Sequence, residues 1–187
     1  MLSERNCQTM IKQFYKVTAV FAFVPFMAIP STVLTLNIGS LINSPVTKVE
    51  VSADDLRAQK AKEIDTYFKE RSMPMEGTGM TFVLVAEKYG LDYRLLPAIA
   101  VRESSGGKAA CGFNAFGWGS CKLHNFHSYE EAIDALGKNL GGANAKTARY
   151  YAGKTNLEKL YYYNGTVVKE YPGEVLAIMN RIETSTD

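Results

Sequence analysis

The 187 residues hold three cysteines, two histidines and one tryptophan, and the charges nearly cancel at +2. Near-neutrality removes the electrostatic case for nucleic acid, whose binders gather Lys and Arg on one face. No basic patch interleaved with aromatics is present. There is no internal repeat and no low-complexity tract, and the only strand signal is one for a small hairpin within residues 111–126. Cysteine and histidine come together once, as Cys111, Cys121, His124 and His127. That C-x9-C-x2-H-x2-H order lacks the close cysteine pair of the usual zinc sites, so no metal and no cofactor is expected.

Charge is also missing, for a whole stretch, near the N-terminus. Residues 1–16 carry Arg5, Lys12 and Lys16 against Glu4, and then no charged residue occurs from Val17 to Thr47. Val17–Ile42 is long enough to span a bilayer as a helix, and Pro25 and Pro30 are tolerated in such helices. The basic flank precedes the run, so the C-terminal part is expected outside. A cleaved signal peptide is the rival reading. The length of the run and the lack of a clear A-x-A site favour an uncleaved anchor. The expected organisation is a cytoplasmic segment (1–16), a transmembrane anchor (17–42), a linker or stalk (43–63) and one mainly helical domain (64–187). In an exported segment, Cys111 and Cys121 are expected to form a disulfide.

What remains is patterned for helices. Ser52-Ala53-Asp54-Asp55 resembles a capping box, opening a helix to about Glu70 with Leu56, Ile64, Tyr67 and Phe68 inward. Met80–Tyr89 should close on Gly90. Asp92 is a plausible N-cap for the next helix, with Pro97 forcing a distorted or late start. Ser128-Tyr129-Glu130-Glu131 and Thr155-Asn156-Leu157-Glu158 are two more boxes, the first with Ala132, Ile133, Leu136 and Leu140 inward. Pro172 suits the first turn of a last helix carrying Val175, Ile178, Met179 and Ile182 inward.

The chemistry concentrates between Leu91 and Trp118. Leu96, Ile99 and Ala100 mark an apolar helix face whose next position is Glu103, where the pattern asks for another core residue. The helix then stops against Ser104, Ser105, Gly106 and Gly107. Partial desolvation and the negative end of the helix dipole should both raise the pKa of a carboxylate placed there, as a general acid near neutral pH requires. Glu130 and Glu131 have a structural explanation at a helix N-terminus and are weaker candidates.

Four segments in order resemble the lysozyme-like superfamily of peptidoglycan-cleaving enzymes, in particular soluble lytic transglycosylases and autolysin-type endo-β-N-acetylglucosaminidases. AIAVRESSGG (98–107) looks like the catalytic helix. NAFGWG (114–119) is similar to the turn over the cleft floor, FHSYEEAIDAL (126–136) to the stretch that follows it, and YYYNG (161–165) to the Ala-Tyr-Asn-Ala-Gly motif of the transglycosylases. The resemblance spans about residues 64–183. It implies Glu103 as catalytic acid, Ser104 as a backbone organiser beside it, Asn114, Phe116, Gly117 and Trp118 as the cleft turn, and Tyr163 and Asn164 as the pair that positions the acid or the sugar. The cysteine pair belongs to neither branch.

The implied substrate is the β-1,4 glycan strand of peptidoglycan. A second carboxylate partner is not evident; Asp134, Glu158, Glu170 and Glu174 are candidates by elimination only. A single-Glu mechanism, with the substrate's acetamido or hydroxyl group assisting, fits better. Trp118, Phe116 and Tyr161–Tyr163 could stack on sugars, but Phe116 and two of the tyrosines are expected in the core. The alternative function is a glycan-binding or scaffold module without turnover, which would have no need of an acid on an apolar face.

Overall fold

The computed structural model describes residues 52–120 and 125–185, all within one compact unit, Lys48–Asp187. The expected anchor at 17–42 and the segment 1–16 lie outside the described residues, as does Cys121 of the expected disulfide. Among the described residues the chain is mainly helical, with no strand, and no helix is long and apolar enough to cross a membrane.

The described residues form seven α-helices in order: α1 Ala53–Glu70, α2 Gly79–Tyr89, α3 Leu95–Ser104, α4 Tyr129–Leu140, α5 Ala148–Tyr151, α6 Asn156–Leu160 and α7 Tyr171–Glu183. A π-helical turn, Tyr161–Gly165, continues α6. The starts are chemical. The Ser52 hydroxyl accepts the Asp55 N–H at 3.1 Å while the Asp55 carboxylate takes the Ser52 N–H, so Asp serves in the Glu place of the box. Thr155 and Glu158 form the same reciprocal pair at α6. At α4 the Ser128 hydroxyl caps Glu131, whose carboxylate reaches one residue further back, to the His127 N–H at 2.7 Å.

One expectation about a helix end and one about a helix face are corrected. Asp92 does not cap α3; its carboxylate holds the Arg94 N–H and guanidinium, two residues into the turn before the helix. The helix starts late, at Leu95. Pro97 therefore falls in the first turn, where its missing N–H costs no hydrogen bond. Leu56 is 44% exposed rather than inward, because the buried face of α1 begins only at Ala61.

Helix α3 is the centre. Every residue from Leu95 to Ala100 is buried, so it is covered on all sides rather than along one stripe. Helix α7 packs along it through Val175, Ile178 and Ile182, and α1 and α2 pair beside it with the Phe68 and Phe82 rings edge to face at 6.0 Å. Close approach of α1 and α2 depends on Gly79, where a Cβ would lie 2.3 Å from the Ala61 carbonyl oxygen. The expected break between stalk and domain at residues 63–64 falls inside the single helix α1. Its first half is tied to α2 by Arg57–Glu87 at 2.8 Å, and its buried Glu63 accepts the Tyr93 hydroxyl at 2.6 Å.

The hairpin expected within 111–126 does not form among the described residues. One isolated bridge, Cys111 to Asn114, is all that remains of it. Gly112, Gly117, Gly119 and Ser120 all have positive φ, which folds the segment into successive turns instead of extended strands.

Candidate active site

Glu103 sits in the last turn of α3, and the chain leaves that helix sharply. Ser105, Gly106 and Gly107 take positive φ in succession (51°, 64° and 99°). The two glycines are required by crowding as well as by dihedral angle: a Cβ on Gly106 would lie 2.6 Å from the Met73 sulfur, and one on Gly107 2.7 Å from the Tyr129 hydroxyl. This reversal brings the loop back across the end of α3.

Ser104 fastens that return. Its hydroxyl is buried, accepts the Gly107 N–H at 3.0 Å and donates to the Ala115 carbonyl at 2.7 Å, with the Ala100 carbonyl a second acceptor at 3.1 Å. Asn114, also buried, closes the next turn on itself: its side chain accepts the Trp118 N–H at 3.1 Å and donates to the Trp118 carbonyl at 3.0 Å. Phe116 is buried beneath the turn, and its carbonyl accepts the Tyr163 hydroxyl at 2.6 Å. Gly117, at the exposed tip, is so close to the acid that a Cβ on it would stand 3.6 Å from Glu103 Oε2.

Three aromatic rings form the wall. Tyr163 lies between Trp118 (centroids 5.7 Å apart, 28° between planes) and Tyr171 (5.9 Å, 15°). Burial raises the pKa of the Tyr163 phenol well above its ordinary value, and the neighbouring Glu103 charge adds to the rise. The Tyr171 phenol is raised by burial, then by Tyr163 and Glu103. Both stay neutral at any physiological pH and so keep their protons; Tyr163 gives its to the Phe116 carbonyl.

Glu103 itself is half-buried, and its two oxygens differ. Oε1 is buried with no hydrogen-bond partner, as is the Tyr171 hydroxyl. Oε2 is the oxygen beside Gly117, whose backbone is exposed at the tip of the turn. A buried polar group left unpaired costs about 1–3 kcal/mol, so two on adjacent side chains are a substantial expense at one place.

The structure thus gathers Glu103, Ser104, Asn114, Phe116, Gly117, Trp118 and Tyr163. Asn164 contributes its main-chain carbonyl, which accepts the Val167 and Val168 N–H groups, and no side-chain contact to Glu103 is seen. Tyr161 and Tyr162 are exposed (51% and 41%), against the expectation that two of the three tyrosines are core; the π turn points them outward while Tyr163 turns in. Of the second-carboxylate candidates, Asp134 is engaged by Lys88 and Tyr89, Glu158 by its capping box, and Glu174 by Arg102 Nε at 2.6 Å; Glu170 precedes α7 at the surface. Cys111 is exposed; Cys121 and His124, needed for either the disulfide or the zinc alternative, lie outside the described residues. The residue that sequence reasoning missed is Tyr171. It extends the inward stripe Val175, Ile178, Ile182 one turn back, and that spacing was the available signal.

A scan against protein-family models, a search of curated proteins and a search of solved structures return no match to this chain.

Proposed function

We propose that this chain cleaves the β-1,4 glycan strand of peptidoglycan, with Glu103 as the single general acid and base on a lysozyme-like helical domain, and that residues 17–42 anchor it in the membrane with that domain outside. The observation that carries the reading is the carboxyl group of Glu103. One oxygen is buried without a partner and the other lies beside a glycine at the exposed tip of a turn held by three separate side chains. A solvated helix-end glutamate has no use for such a mount.

In the proposed reaction Glu103 Oε2 gives its proton to the bridging oxygen as the bond from that oxygen to C1 breaks, leaving an oxocarbenium-like centre. Water, or a hydroxyl of the substrate itself, then bonds to C1 and returns its proton to Glu103. Gly117 leaves room for the sugar at Oε2, since any side chain there would stand over that oxygen. The partly buried Trp118 and the exposed Tyr161 and Tyr162 offer ring faces for stacking.

Digestion of bacterial sacculi by the purified full-length chain tests this, with fragments read by mass spectrometry. Anhydro-muramic ends identify a lytic transglycosylase; reducing ends identify a hydrolase. Glu103→Gln should abolish release while the protein still pellets with sacculi. Unchanged release by that variant would remove Glu103 from the mechanism, and no release by the wild type, with pelleting retained, would favour the glycan-binding module.

A further inference from the structure

Around Glu103 the side-chain donors of the described residues are nearly all committed. The Ser104 proton goes to the Ala115 carbonyl at 2.7 Å and the Tyr163 proton to the Phe116 carbonyl at 2.6 Å. Arg102, next in the chain, turns its Nε to Glu174 at 2.6 Å. Tyr171 is different. Its ring is fully buried and fixed from two directions, stacked on Tyr163 at 5.9 Å with the Arg102 guanidinium 5.7 Å from its centroid. Its hydroxyl lies close enough to the Glu103 carboxyl to feel its charge yet makes no hydrogen bond, and Glu103 Oε1 makes none either. One orphan is a donor and the other an acceptor, on neighbouring side chains, in a region closed to water.

We infer that Tyr171 is a positioning residue for Glu103: its phenol donates to Oε1 when the site is engaged, and so confines the transferable proton to Oε2, the oxygen beside the exposed Gly117. A phenol that donates to Oε1 occupies the place a proton on that oxygen would need. The protonated acid therefore has its proton on the side where a glycosidic oxygen can reach it. This rests on the glycan-cleaving reading, and it adds a residue on α7 to machinery otherwise drawn from α3, the 114–118 turn and the π turn. Among the described residues, the charged and titratable groups that act on Glu103 are Arg102 on its own helix, Tyr163 from the π turn and Tyr171 from α7.

Tyr171→Phe in the full-length chain is the test. It keeps the ring and deletes only the unpaired hydroxyl, so the thermal midpoint should hold or rise, while kcat on sacculi falls at least about tenfold, KM changes less than about twofold and the pH–rate profile moves. An unchanged kcat with an unmoved pH profile overturns the inference. A second readout does not need activity: the hydroxyl proton of Tyr171, identified in NMR spectra by its loss in Tyr171→Phe, should shift or exchange faster in Glu103→Ala. If it is indifferent to Glu103, the inference is wrong even where Tyr171→Phe loses activity. A wild type that cleaves no glycan would sink the proposed reaction and leave this arm to decide whether the Tyr171–Glu103 contact exists.

Discussion

Ser104 has one proton and three neighbours, and the register of the whole loop against α3 depends on it. Replacing it with Ala would leave the Ala115 carbonyl and the Gly107 N–H without the hydroxyl that joins them. The expected cost is about 2–3 kcal/mol in urea unfolding, together with a loss of cleavage, because the turn that presents Gly117 to Glu103 is no longer pinned. A Ser104→Ala protein as stable and active as the wild type would show that the turn is held without it. At the start of the same helix Asp92 makes a pH prediction. Burial pushes its carboxyl up, but the Arg94 guanidinium and N–H outweigh this and hold it below the usual carboxylate range. Folding therefore favours the ionised form. The stabilisation is present above the unfolded carboxyl's pKa, near pH 4, and is lost as pH falls through the lower, folded value. The stability difference between wild type and Asp92→Asn should be greatest near neutrality and shrink below about pH 4; a difference that stays constant down to pH 2 refutes the assignment. Asp65, raised chiefly by burial, has the opposite sign: its contribution is lost as pH rises.

Elements meet here through glycine at two kinds of contact, and they fail differently. Gly79 begins α2 against α1, where an added methyl would meet main chain, the Ala61 carbonyl oxygen at 2.3 Å, and the Asp65 carboxylate that holds the Gly77 and Gly79 N–H groups at 2.9 Å. Backbone cannot step aside, so Gly79→Ala should lower stability by about 1–3 kcal/mol, read as a drop in thermal midpoint, despite alanine's better helix propensity. Gly117 is at the tip of the site turn with φ +63°, and a methyl there has ordinary clearance, 3.6 Å from Glu103 Oε2. Gly117→Ala should cost only about 1–2 kcal/mol for the left-handed backbone while reducing glycan release far more than stability. Equal loss in both would mean that the turn supports the fold and has no special relation to the acid.

At the scale of the whole molecule, what the sequence disclosed and what it hid divide along local and non-local physics. Capping boxes at Ser52, Ser128 and Thr155, the Gly90 stop and the inward stripes of α4 and α7 are written in adjacent residues, and they were legible there. Glu103 was legible because it interrupts a stripe. The pairing of Ser104 with Ala115 and of Tyr163 with the Phe116 carbonyl, and the approach of Tyr171 to Glu103, were not, since each joins segments that only the tertiary fold brings together. Among the described residues of 111–126 no hairpin forms, because Gly112, Gly117, Gly119 and Ser120 turn the chain repeatedly, and such dihedral angles are not written in the sequence. The same contrast bears on where the domain begins. Charge in residues 52–63 reads as a stalk, yet that stretch supplies buried Ala61 under Gly79, Glu63 for the Tyr93 hydroxyl and Arg57 for Glu87. A chain begun at residue 64 would lose all three and the Ser52 cap, exposing the α1–α2 contact on which Phe68 and Phe82 pack. A fragment 48–187 should therefore melt in one sharp transition by circular dichroism. A fragment 64–187 should show none, because a domain with only a few kcal/mol of net stability does not survive loss of a helix half that carries buried contacts. If 64–187 melts as sharply and at the same temperature, residues 52–63 are a stalk, and the contacts of Arg57, Ala61 and Glu63 contribute nothing to holding the domain together.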